Sequence, residues 1–253
     1  MNALGIDIGG TGIKAAVVDT TTGAFITERW RVATPEHPGR QALSSAISEI
    51  ADHFAWRGPV GCGFPGVMRR GVIQTAVNLS PELVGWDLSA HLAEVFQATC
   101  PVINDADVAA LAEMRLGAGV GVRGTVLVLT VGTGIGTAVF HDGHLVPNLE
   151  LGHLILHGKD AESLISTPAR KRADLTWMEW AGRFNDYLVY ICGLLQPELI
   201  ILGGGGAKKP EKFLPYLKSP VPVELAAFGN RAGIIGAAIS GSEQTADSRP
   251  ATV

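Results

Sequence analysis

Along the first half of the chain, apolar runs alternate with polar turns in a pattern that predicts mixed strands and helices. The segments NALGIDIG, IKAAVVD and AFITERWRV predict three strands, with the polar turn TTTG before the third. Apolar positions at helical spacing in QALSSAISEIADHFAW predict an amphipathic helix. The predicted order then continues with the strands PVGCGF and GVIQTAVN, the helix LSAHLAEVF, the strand CPVIN and the helix DADVAALAEMRLGAG.

The second half of the chain starts the same order again. The segments TVLVLTVG, GIGTAVFHD and HLVPN predict three strands, with HDGH as the hairpin turn between the last two. A long helix is predicted over residues 177–195, and ELIILGGGG is predicted as a buried strand that enters a glycine loop. A short helix PEKFLPYL, a strand VPVEL and a helix AGIIGAAISG follow, and the polar tail SEQTADSRPATV is expected to fray.

One glycine–threonine turn occurs in each half, as GTGIKAAVVD from Gly10 and as GTGIGTAVFH from Gly132. A single turn of this kind is explained as well by a simple hairpin as by ligand binding. Two copies between paired strands indicate a duplicated α/β unit whose turns face each other across a cleft. Glycine lets the backbone approach a ligand closely, and successive N–H groups bind anionic oxygen. The pattern therefore predicts two phosphate-binding turns.

Composition and charge narrow the class of protein. With 47% hydrophobic and 17% charged residues among 253, the chain is predicted to be globular and well buried. A net charge of −4 gives no basic field for nucleic acid, and the local basic runs are interpreted as solvated surface. Three widely spaced cysteines without a CxxC pair suit a reduced, cytoplasmic protein. The sequence predicts neither a signal peptide nor a membrane span.

Acidic residues beside buried strands are the first candidates for chemistry. Asp7 lies in the apolar strand LGIDIGG, where a carboxylate needs a partner, and Mg²⁺ bridged to phosphate would supply one. Asn104, Asp105 and Asp107 begin the helix that follows the strand CPVIN. Asn and Asp are common helix caps, but one cap is sufficient. With Asp107 in the capping or helix-dipole role, Asp105 can act as a general base.

Two further segments suit a polar ligand. In PNLELGHL, Glu150 and His153 flank Gly152, and a carboxylate and an imidazole in this context can bind a polyhydroxylated molecule. A metal site is disfavoured there, because His157 alone adds too few ligands. The glycines after ELIIL are either a loose turn or room for a nucleotide base or phosphate. They lack the GxGxxG spacing of a dinucleotide site, and no GxxxxGK[ST] loop occurs in the chain.

Six motifs, in the family's order and over nearly the whole chain, resemble the ROK sugar kinases: GIDIGGTGIKAAVVD, GFPGV, NDADVAALAE, TVGTGIGTAVF, ELGH and ILGGG. WRGPVG, GKDAE and PELIILGGG are similar to the branch of actinobacterial polyphosphate glucokinases. The resemblance implies an α/β protein with the duplicated actin-like sugar-kinase fold, which is ribonuclease H-like, and two domains around a cleft. We expect residues 1–103 and about 235–253 in the N-terminal domain, and residues 104–234 in the C-terminal domain.

The resemblance also implies roles for individual residues, with Asp105 as the catalytic base that acts on the glucose 6-hydroxyl. The sugar is expected to contact Gly66, Asn78, Asn104, Asp105, Glu150, His153 and Glu162. Phosphate is expected at Asp7, Gly9, Gly10, Thr11 and Lys14 in the first turn, and at Thr130, Gly132, Thr133 and Gly134 in the second. Gly203, Gly204 and Gly205 match the nucleotide-binding segment of ATP-using relatives, and Asp7 is expected to hold Mg²⁺, directly or through water.

Zinc is not expected in this chain. Many ROK kinases have a CxCGxxGCxE motif after the ExGH histidine, whereas the corresponding segment LILHGKDAESLIS contains no cysteine. His153 should therefore not be a zinc ligand, and other contacts must hold the sugar loop. Glu162 of GKDAE is expected to replace the terminal glutamate of that motif.

The sequence leaves two phosphoryl donors as alternatives, polyphosphate and ATP. The branch implies polyphosphate, with ATP as a second donor, and the candidates for a groove that binds it are Lys14, Arg69, Arg70, Lys208 and Lys209. The alternatives are a strictly ATP-dependent glucokinase and a non-catalytic glucose-binding sensor. Hydroxyl-binding residues alone do not distinguish glucose from mannose or glucosamine. The family also implies a homodimer, without nucleic acid or membrane partners.

Overall fold

The computed structural model describes residues 1–10, 12–33, 38–77 and 79–247. The contacts divide the chain into two compact units. The first unit consists of Met1–Ala112 and the segment that begins at Arg231, and the second consists of Glu113–Asn230. Among the described residues, no helix combines the length and the apolar character that crossing a membrane requires.

Strands and helices alternate along both units. In chain order the strands are β1 (Asn2–Gly9), β2 (Gly12–Asp19), β3 (Ala24–Phe25), β4 (Trp30–Val32), β5 (Val60–Phe64), β6 (Met68–Arg69), β7 (Val72–Ile73), β8 (Val102–Asn104), β9 (Thr125–Val131), β10 (Ile135–His141), β11 (His144–Val146), β12 (Ile155–Leu156), β13 (Lys159–Asp160), β14 (Leu199–Gly203) and β15 (Val223–Leu225). The α-helices are α1 (Arg40–Phe54), α2 (Leu88–Phe96), α3 (Asp105–Leu116), α4 (Glu162–Ile165), α5 (Thr167–Arg172), α6 (Trp177–Leu195) and α7 (Ala232–Asp247).

The two units have main sheets with the same arrangement of strands. In the first unit the order is β3-β2-β1-β5-β8, and β4 also pairs with β2. In the second unit the order is β11-β10-β9-β14-β15. Each sheet contains an antiparallel hairpin, β1–β2 or β9–β10. The first strand of each hairpin is followed in the sheet by two strands parallel to it, β5 and β8 in the first unit and β14 and β15 in the second. This equivalence confirms the duplicated α/β architecture.

Each unit has its own apolar core. In the first unit, Leu4, Ile6 and Ile8 alternate along β1 and are buried on one face of the sheet with residues of α1 and α2. In the second unit, α6 presents Trp180 and Phe184 to the core that includes β9, β10 and β14. The chain is therefore organised as two sheets, each with its own buried side, which matches the repeated pattern in the sequence.

Several predicted elements differ from the observed ones. The predicted third strand is split into β3 and β4, because the Thr27 hydroxyl accepts the Val17 N–H and interrupts the ladder. The segment PEKFLPYL forms short 3₁₀ turns rather than one helix, since Pro215 has no N–H to donate. The prediction that the tail frays from Ser242 is wrong as far as Asp247, because α7 continues to that residue and Ser242 is buried.

The start of α3 packs with the first unit. The Val108 side chain lies against Gly63 of β5, and the Val108 carbonyl lies against Gly236 of α7. Asp105 accordingly lies in the first unit, whereas the sequence prediction began the C-terminal domain at residue 104. The reason is that α3 follows β8 directly, so that its first turns cover the sheet to which β8 belongs.

Candidate functional site

The carboxyl ends of β1, β5 and β8 bring three predicted segments to one edge of the first sheet. These strands run parallel, with Asp7 in register with Gly63 and Gly63 in register with Ile103. The first glycine–threonine turn follows β1, the turn with Gly66 follows β5, and Asp105 follows β8. Loops at the carboxyl ends of parallel strands are where α/β proteins place their ligands. We call this the first edge.

Asn104 supplies the cap of α3. Its amide oxygen accepts the N–H of Ala106 at 2.8 Å and that of Asp107 at 3.2 Å, and its amide nitrogen donates to the Gly66 carbonyl at 3.2 Å. Of the two roles expected for Asp107, capping falls to Asn104, whose side chain already satisfies these donors, whereas Asp107 lies in the first turn of α3, where the helix-dipole role would place it. Asn104 and Gly66, both predicted to contact the sugar, are joined by a hydrogen bond. Asn78 lies outside the described residues.

Asp105 is the first residue of α3 and is partly buried. Its Oδ1 accepts the Ala106 N–H at 2.8 Å, which fixes the carboxylate at the start of the helix. The geometry places the Asp105 carboxylate at the first edge, where the sequence predicts the general base.

The first turn is the tip of the β1–β2 hairpin, with Gly9 paired to Gly12. Asp7 and Lys14 are cross-strand partners, and the Lys14 Nζ lies 3.4 Å from Asp7 Oδ2. The Asp7 carboxylate also lies close to Gly233, in the first turn of α7. The structure thus brings Asp7, Gly9 and Lys14 together as predicted, with Gly10 between the strands and Thr11 outside the described residues.

The residues around Asp7 fit a magnesium ion that is held mainly by phosphate. Mg²⁺ usually takes one or two carboxylates together with water and phosphate oxygens, rather than a cage of protein ligands. Asp7 supplies one partly exposed carboxylate at the first turn. Within the described ranges, no three His, Cys, Asp or Glu side chains are grouped as a metal site. Asp7 is therefore a candidate ligand to a metal that arrives with the donor.

The carboxyl ends of β9, β14 and β15 form the equivalent edge of the second unit, here called the second edge. Thr130, near the end of β9, pairs with Gly136 of β10 and with Gly203 of β14. The turn of residues 132–134 is closed by a hydrogen bond from the Gly132 N–H to the Gly134 carbonyl at 2.9 Å. The Thr167 N–H at the start of α5 donates to the Gly132 carbonyl at 3.0 Å. The Gly132 N–H is therefore used inside the turn.

The glycine loop after β14 packs on the second turn. Gly204 has φ +86°, and a β-carbon there would lie 2.4 Å from the Val131 carbonyl oxygen, so that only glycine allows this approach. Around Gly205 no atom lies within 4 Å of such a β-carbon. The loop therefore has a packing role at Gly204, and nucleotide binding by residues 203–205 remains a prediction. Lys208 and Lys209 follow the loop and are exposed.

Thr137 of β10 holds the loop that carries Glu150. Its buried hydroxyl donates to the Leu149 carbonyl and accepts the Leu151 N–H at 3.0 Å. These two bonds fix the backbone on both sides of Glu150, whose own side chain is exposed. Sequence reasoning missed Thr137, because a threonine in a strand gives no signal of its own. The alternation of β10, which puts this one polar residue on a buried face, was the signal available.

His153 is oriented by a carboxylate that sequence reasoning also missed. The His153 Nδ1 lies 2.8 Å from Asp160 Oδ2. The hydrogen bond to Asp160 raises the pKa of His153 above its ordinary value, and the nearby charges of Glu162 and Glu150 act in the same direction. The predicted sugar residues Glu150 and Glu162 thus lie close enough to the His153 imidazole for their charges to act on it. With Nδ1 engaged, Nε2 is the ring nitrogen that remains to meet a ligand.

A short hairpin links the loop that carries His153 to α4. β12 and β13 pair across a tight turn at His157 and Gly158. The second strand of this hairpin ends with Asp160, whose backbone and side chain both bind Ser163 at the start of α4. The hairpin therefore connects His153 to the helix that carries Glu162, without a cysteine.

Glu162 connects the segment of the predicted sugar residues to the second turn. Its Oε2 accepts the Ile135 N–H at 2.9 Å, directly after the turn of residues 132–134. Gly152 is buried against the same Ile135, close to its carbonyl oxygen. The predicted sugar residues and the second turn are thus one packed structure, and this connection could not be read from the sequence because Ile135 is a plain strand residue.

The basic residues proposed for a polyphosphate groove lie in different places. Arg69 and Arg70 are exposed at the β6–β7 hairpin of the first unit. Arg170, from the basic run near α5, stacks at 4.2 Å on the Trp177 ring and donates to the Leu175 carbonyl. Arg170 is therefore structural. Arg31, which sequence reasoning did not single out, pairs in the sheet with Lys14.

A family model, a curated protein and two solved structures are similar to this chain, and all of them are ROK proteins or polyphosphate-dependent sugar kinases. A family model described as "ROK family" matches residues 3–163. The chain is 41% identical to the polyphosphate glucokinase of Mycobacterium tuberculosis over 245 residues, which cover 96% of this chain and 92% of that protein. Its structure resembles inorganic polyphosphate/ATP-glucomannokinase from Arthrobacter sp. strain KM, with a TM-score of 0.88, 43% identity and coverage of 96% and 99% of the two chains. A ROK hexokinase from Thermus thermophilus has a TM-score of 0.76 at 26% identity, with coverage of 98% and 100%.

Proposed function

The chain belongs to the ROK family, whose sugar kinases have the actin-like two-domain fold, and we propose that it phosphorylates glucose at the 6-hydroxyl with inorganic polyphosphate as donor. The relatives confirm the predicted kinase activity and the polyphosphate-dependent phosphorylation of glucose. The residue roles below are part of the proposal. The observation that supports them is the first edge, where the first glycine–threonine turn follows β1 and the Asp105 carboxylate follows β8, two strands that run parallel on either side of β5.

Asp105 is the proposed general base. The glucose O6 attacks the terminal phosphorus of the polyphosphate, the bond from that phosphorus to the rest of the chain breaks, and the O6 proton passes to the Asp105 carboxylate. The products are glucose 6-phosphate and polyphosphate shortened by one unit. General base catalysis of this kind contributes roughly 10²–10⁴-fold to the rate. Asn104 acts as a positioning residue, since its amide caps the helix that holds Asp105 and binds the Gly66 turn.

Glu150, His153 and Glu162 are the proposed sugar-binding residues. Carboxylates accept hydrogen bonds from sugar hydroxyls, and the imidazole meets a hydroxyl through Nε2 because Nδ1 is bonded to Asp160. Asp160 and Thr137 are positioning residues, since one orients the imidazole and the other fixes the backbone beside Glu150. Gly66 and Asn78 stay as predicted contacts.

The first turn and Lys14 are proposed to bind the phosphoryl donor, with Asp7 as the residue that would hold Mg²⁺. A bound Mg²⁺ would neutralise the negative charge that develops on the transferred group. Lys14 supplies a point charge for the phosphate oxygens, and Asp7 keeps the ammonium beside the turn through their 3.4 Å ion pair. The second turn is proposed as a further phosphate contact, through N–H groups other than that of Gly132.

Mannose as a second acceptor and ATP as a second donor are favoured by one observation. The name of the structural relative with 43% identity, inorganic polyphosphate/ATP-glucomannokinase, contains both ATP and mannose. A homodimer and a cytoplasmic location remain predictions from the family. Sedimentation of the purified protein would test the first of these.

The direct test is formation of glucose 6-phosphate in the presence of Mg²⁺, with long-chain polyphosphate and ATP compared at equal phosphoryl concentration. We expect a clear preference for polyphosphate, and phosphorylation of mannose at a lower rate. Product from ATP alone would leave a strictly ATP-dependent glucokinase. Glucose binding without product from either donor would establish the non-catalytic sensor instead.

A further inference from the structure

Arg31 completes a row of charged side chains beside the first turn. In the register of the sheet, Lys14 pairs with Asp7 on one side and with Arg31 on the other. Directly paired residues of antiparallel strands put their side chains on the same face of the sheet. A carboxylate, an ammonium and a guanidinium therefore lie side by side on β1, β2 and β4, in that order.

The guanidinium reaches the backbone of the turn. Gly12 begins β2 with φ +155°, and a β-carbon built on it would lie 3.2 Å from Arg31 Nε and 3.4 Å from Arg31 Nη2. Such a β-carbon would also lie 2.8 Å from the Val32 carbonyl oxygen. Arg31 thus occupies the space that a side chain at Gly12 would need, and the glycine is what admits the guanidinium to the turn.

Arg31 lies far from Asp105 across the sheet, where it could contact only a part of the donor that is distant from the transferred phosphoryl group. Asp105 follows β8 at one side of the sheet, and Arg31 lies on β4 at the other, with β5, β1 and β2 between them. At about 4.8 Å per strand, β4 lies roughly 19 Å from β8. Lys14 lies one strand nearer to the base. Arg31 is therefore the outermost cation of the row that starts at Asp7.

The chemistry of the row distinguishes two kinds of donor. Lys14, 3.4 Å from Asp7, offers a point charge, and the guanidinium of Arg31 is a planar fork, a shape that matches two phosphate oxygens at once. Polyphosphate continues as a charged chain beyond the group that is transferred. In ATP a neutral ribose and a base follow the third phosphate. An outer guanidinium therefore has a phosphate to bind in the first donor and not in the second.

We propose that Arg31, together with Lys14, forms a subsite for the polyphosphate chain beyond the transferred phosphoryl group and favours polyphosphate over ATP. The proposal rests on the proposed function, since it names the residue that selects its donor. Arg31 acts here as a specificity residue for a linear polyanion.

The test compares Arg31→Gln with the matched variant Arg57→Gln. Arg57 is also exposed, but it lies in the loop before β5, at the opposite end of that strand from the first edge. Equilibrium binding of long-chain polyphosphate is measured by calorimetry without glucose, at two salt concentrations, and KM is measured for polyphosphate and for ATP. Arg31→Gln should weaken polyphosphate binding about tenfold or more and lower its salt dependence by roughly one phosphate contact. KM for ATP should change less than about twofold.

Arg31→Lys keeps the charge and separates a structural role from a binding role. It should recover part of the polyphosphate affinity, because a lysine binds phosphate as a point charge. Equal losses for both donors in Arg31→Gln, or an unchanged polyphosphate affinity, would overturn the proposal, as would an equal loss in Arg57→Gln. If the unaltered protein forms no glucose 6-phosphate from polyphosphate, the proposed function itself fails. The binding titration decides the role of Arg31 even if ATP is not a donor.

Discussion

The two glycine–threonine turns join equivalent strands, but their surroundings differ. In the first unit the turn lies beside Asp7, Lys14 and Arg31, which are charged and share one face of the sheet. In the second unit the turn is tied to the Glu162 carboxylate through Ile135 and to the N-terminus of α5 through Thr167. One turn is thus surrounded by groups that suit a polyanion, and the other is built into the segment that carries the proposed sugar residues.

This difference lies in the side chains around the turns and not in their shared backbone arrangement. Both turns end a β-strand whose parallel neighbours end at the same edge, so that both can present backbone N–H groups. The side chains next to each turn decide which ligand is favoured. The duplicated fold therefore supplies two similar edges, and the account assigns the base and the donor cations to the first edge and the sugar hydroxyls to the second.

Adding one methyl group to each turn is expected to give the largest contrast. Gly12→Ala places a β-carbon at a φ of +155° and 2.8 Å from the Val32 carbonyl, whereas nothing lies within 4 Å of a β-carbon at Gly132, whose φ is outside the left-handed region. Gly12→Ala should cost about 1–3 kcal/mol in the free energy of unfolding and raise KM for polyphosphate at least about tenfold. Gly132→Ala should stay within about 0.5 kcal/mol. Chemical denaturation and initial rates measure both, and equal effects would remove the contrast between the turns.

Truncation of Glu162 is expected to affect the sugar more than the donor. Glu162→Ala leaves the Ile135 N–H without its acceptor and removes a proposed sugar contact, so that KM for glucose should rise about 10–100-fold. Glu162→Gln should have a smaller effect, because its amide oxygen can still accept from Ile135. Glu211→Ala, at an exposed glutamate of the same unit, is the control and should leave KM unchanged. An unchanged KM for glucose in Glu162→Ala would contradict the role given to the second edge.

The smallest expected effect is a change in the titration of His153. Its pKa is raised in the folded protein mainly by the hydrogen bond to Asp160, so that the pair stabilises the fold below about pH 6.5 and loses this contribution as the pH rises through the raised pKa. Asp160→Asn should lower the pKa of His153 and destabilise the protein more at pH 5.5 than at pH 8.5. NMR titration and thermal unfolding provide the readouts. KM for glucose should rise by less than about tenfold.

Asp186→Asn is the control for that titration. Asp186 lies 3.2 Å from His157 in a similar exposed pair, and the charges that raise the pKa of His153 are those of Asp160, Glu162 and Glu150. Asp186→Asn should leave the pKa of His153 unchanged. If Asp160→Asn also leaves the pKa of His153 unchanged, Asp160 does not orient the imidazole as the account requires.

Much of the fold could be predicted because the hydrophobic periodicity is strong where elements are long. The strand NALGIDIG and the helices over 88–96 and 177–195 agree with the observed bounds of β1, α2 and α6. Prediction was wrong where a side chain competes with the backbone. Thr27 divides the predicted third strand through its hydroxyl, and such a contact depends on a partner in another strand.

The candidate site was predictable where a motif carries the residues and not where packing supplies them. Asp105, Glu150 and His153 were assigned from motifs, and the structure brings the last two together with Glu162. Asp160 and Thr137 lie inside the motifs GKDAE and TVGTGIGTAVF but were given no role, and Arg31 lies outside the motifs, because each of the three contacts a neighbour that only the fold brings close. Positioning residues of this kind are invisible to spacing along the sequence.

The most direct measurement of the central claim is the turnover of Asp105→Asn, with glucose binding measured on the same preparation and Glu150→Gln as its counterpart. The account predicts that Asp105→Asn binds glucose within about threefold of the unaltered protein but loses at least about a hundredfold in kcat. Glu150→Gln should instead bind glucose about tenfold more weakly and keep most of its kcat at saturating glucose. Substantial turnover by Asp105→Asn with polyphosphate and glucose would contradict the assignment of the base to the first edge.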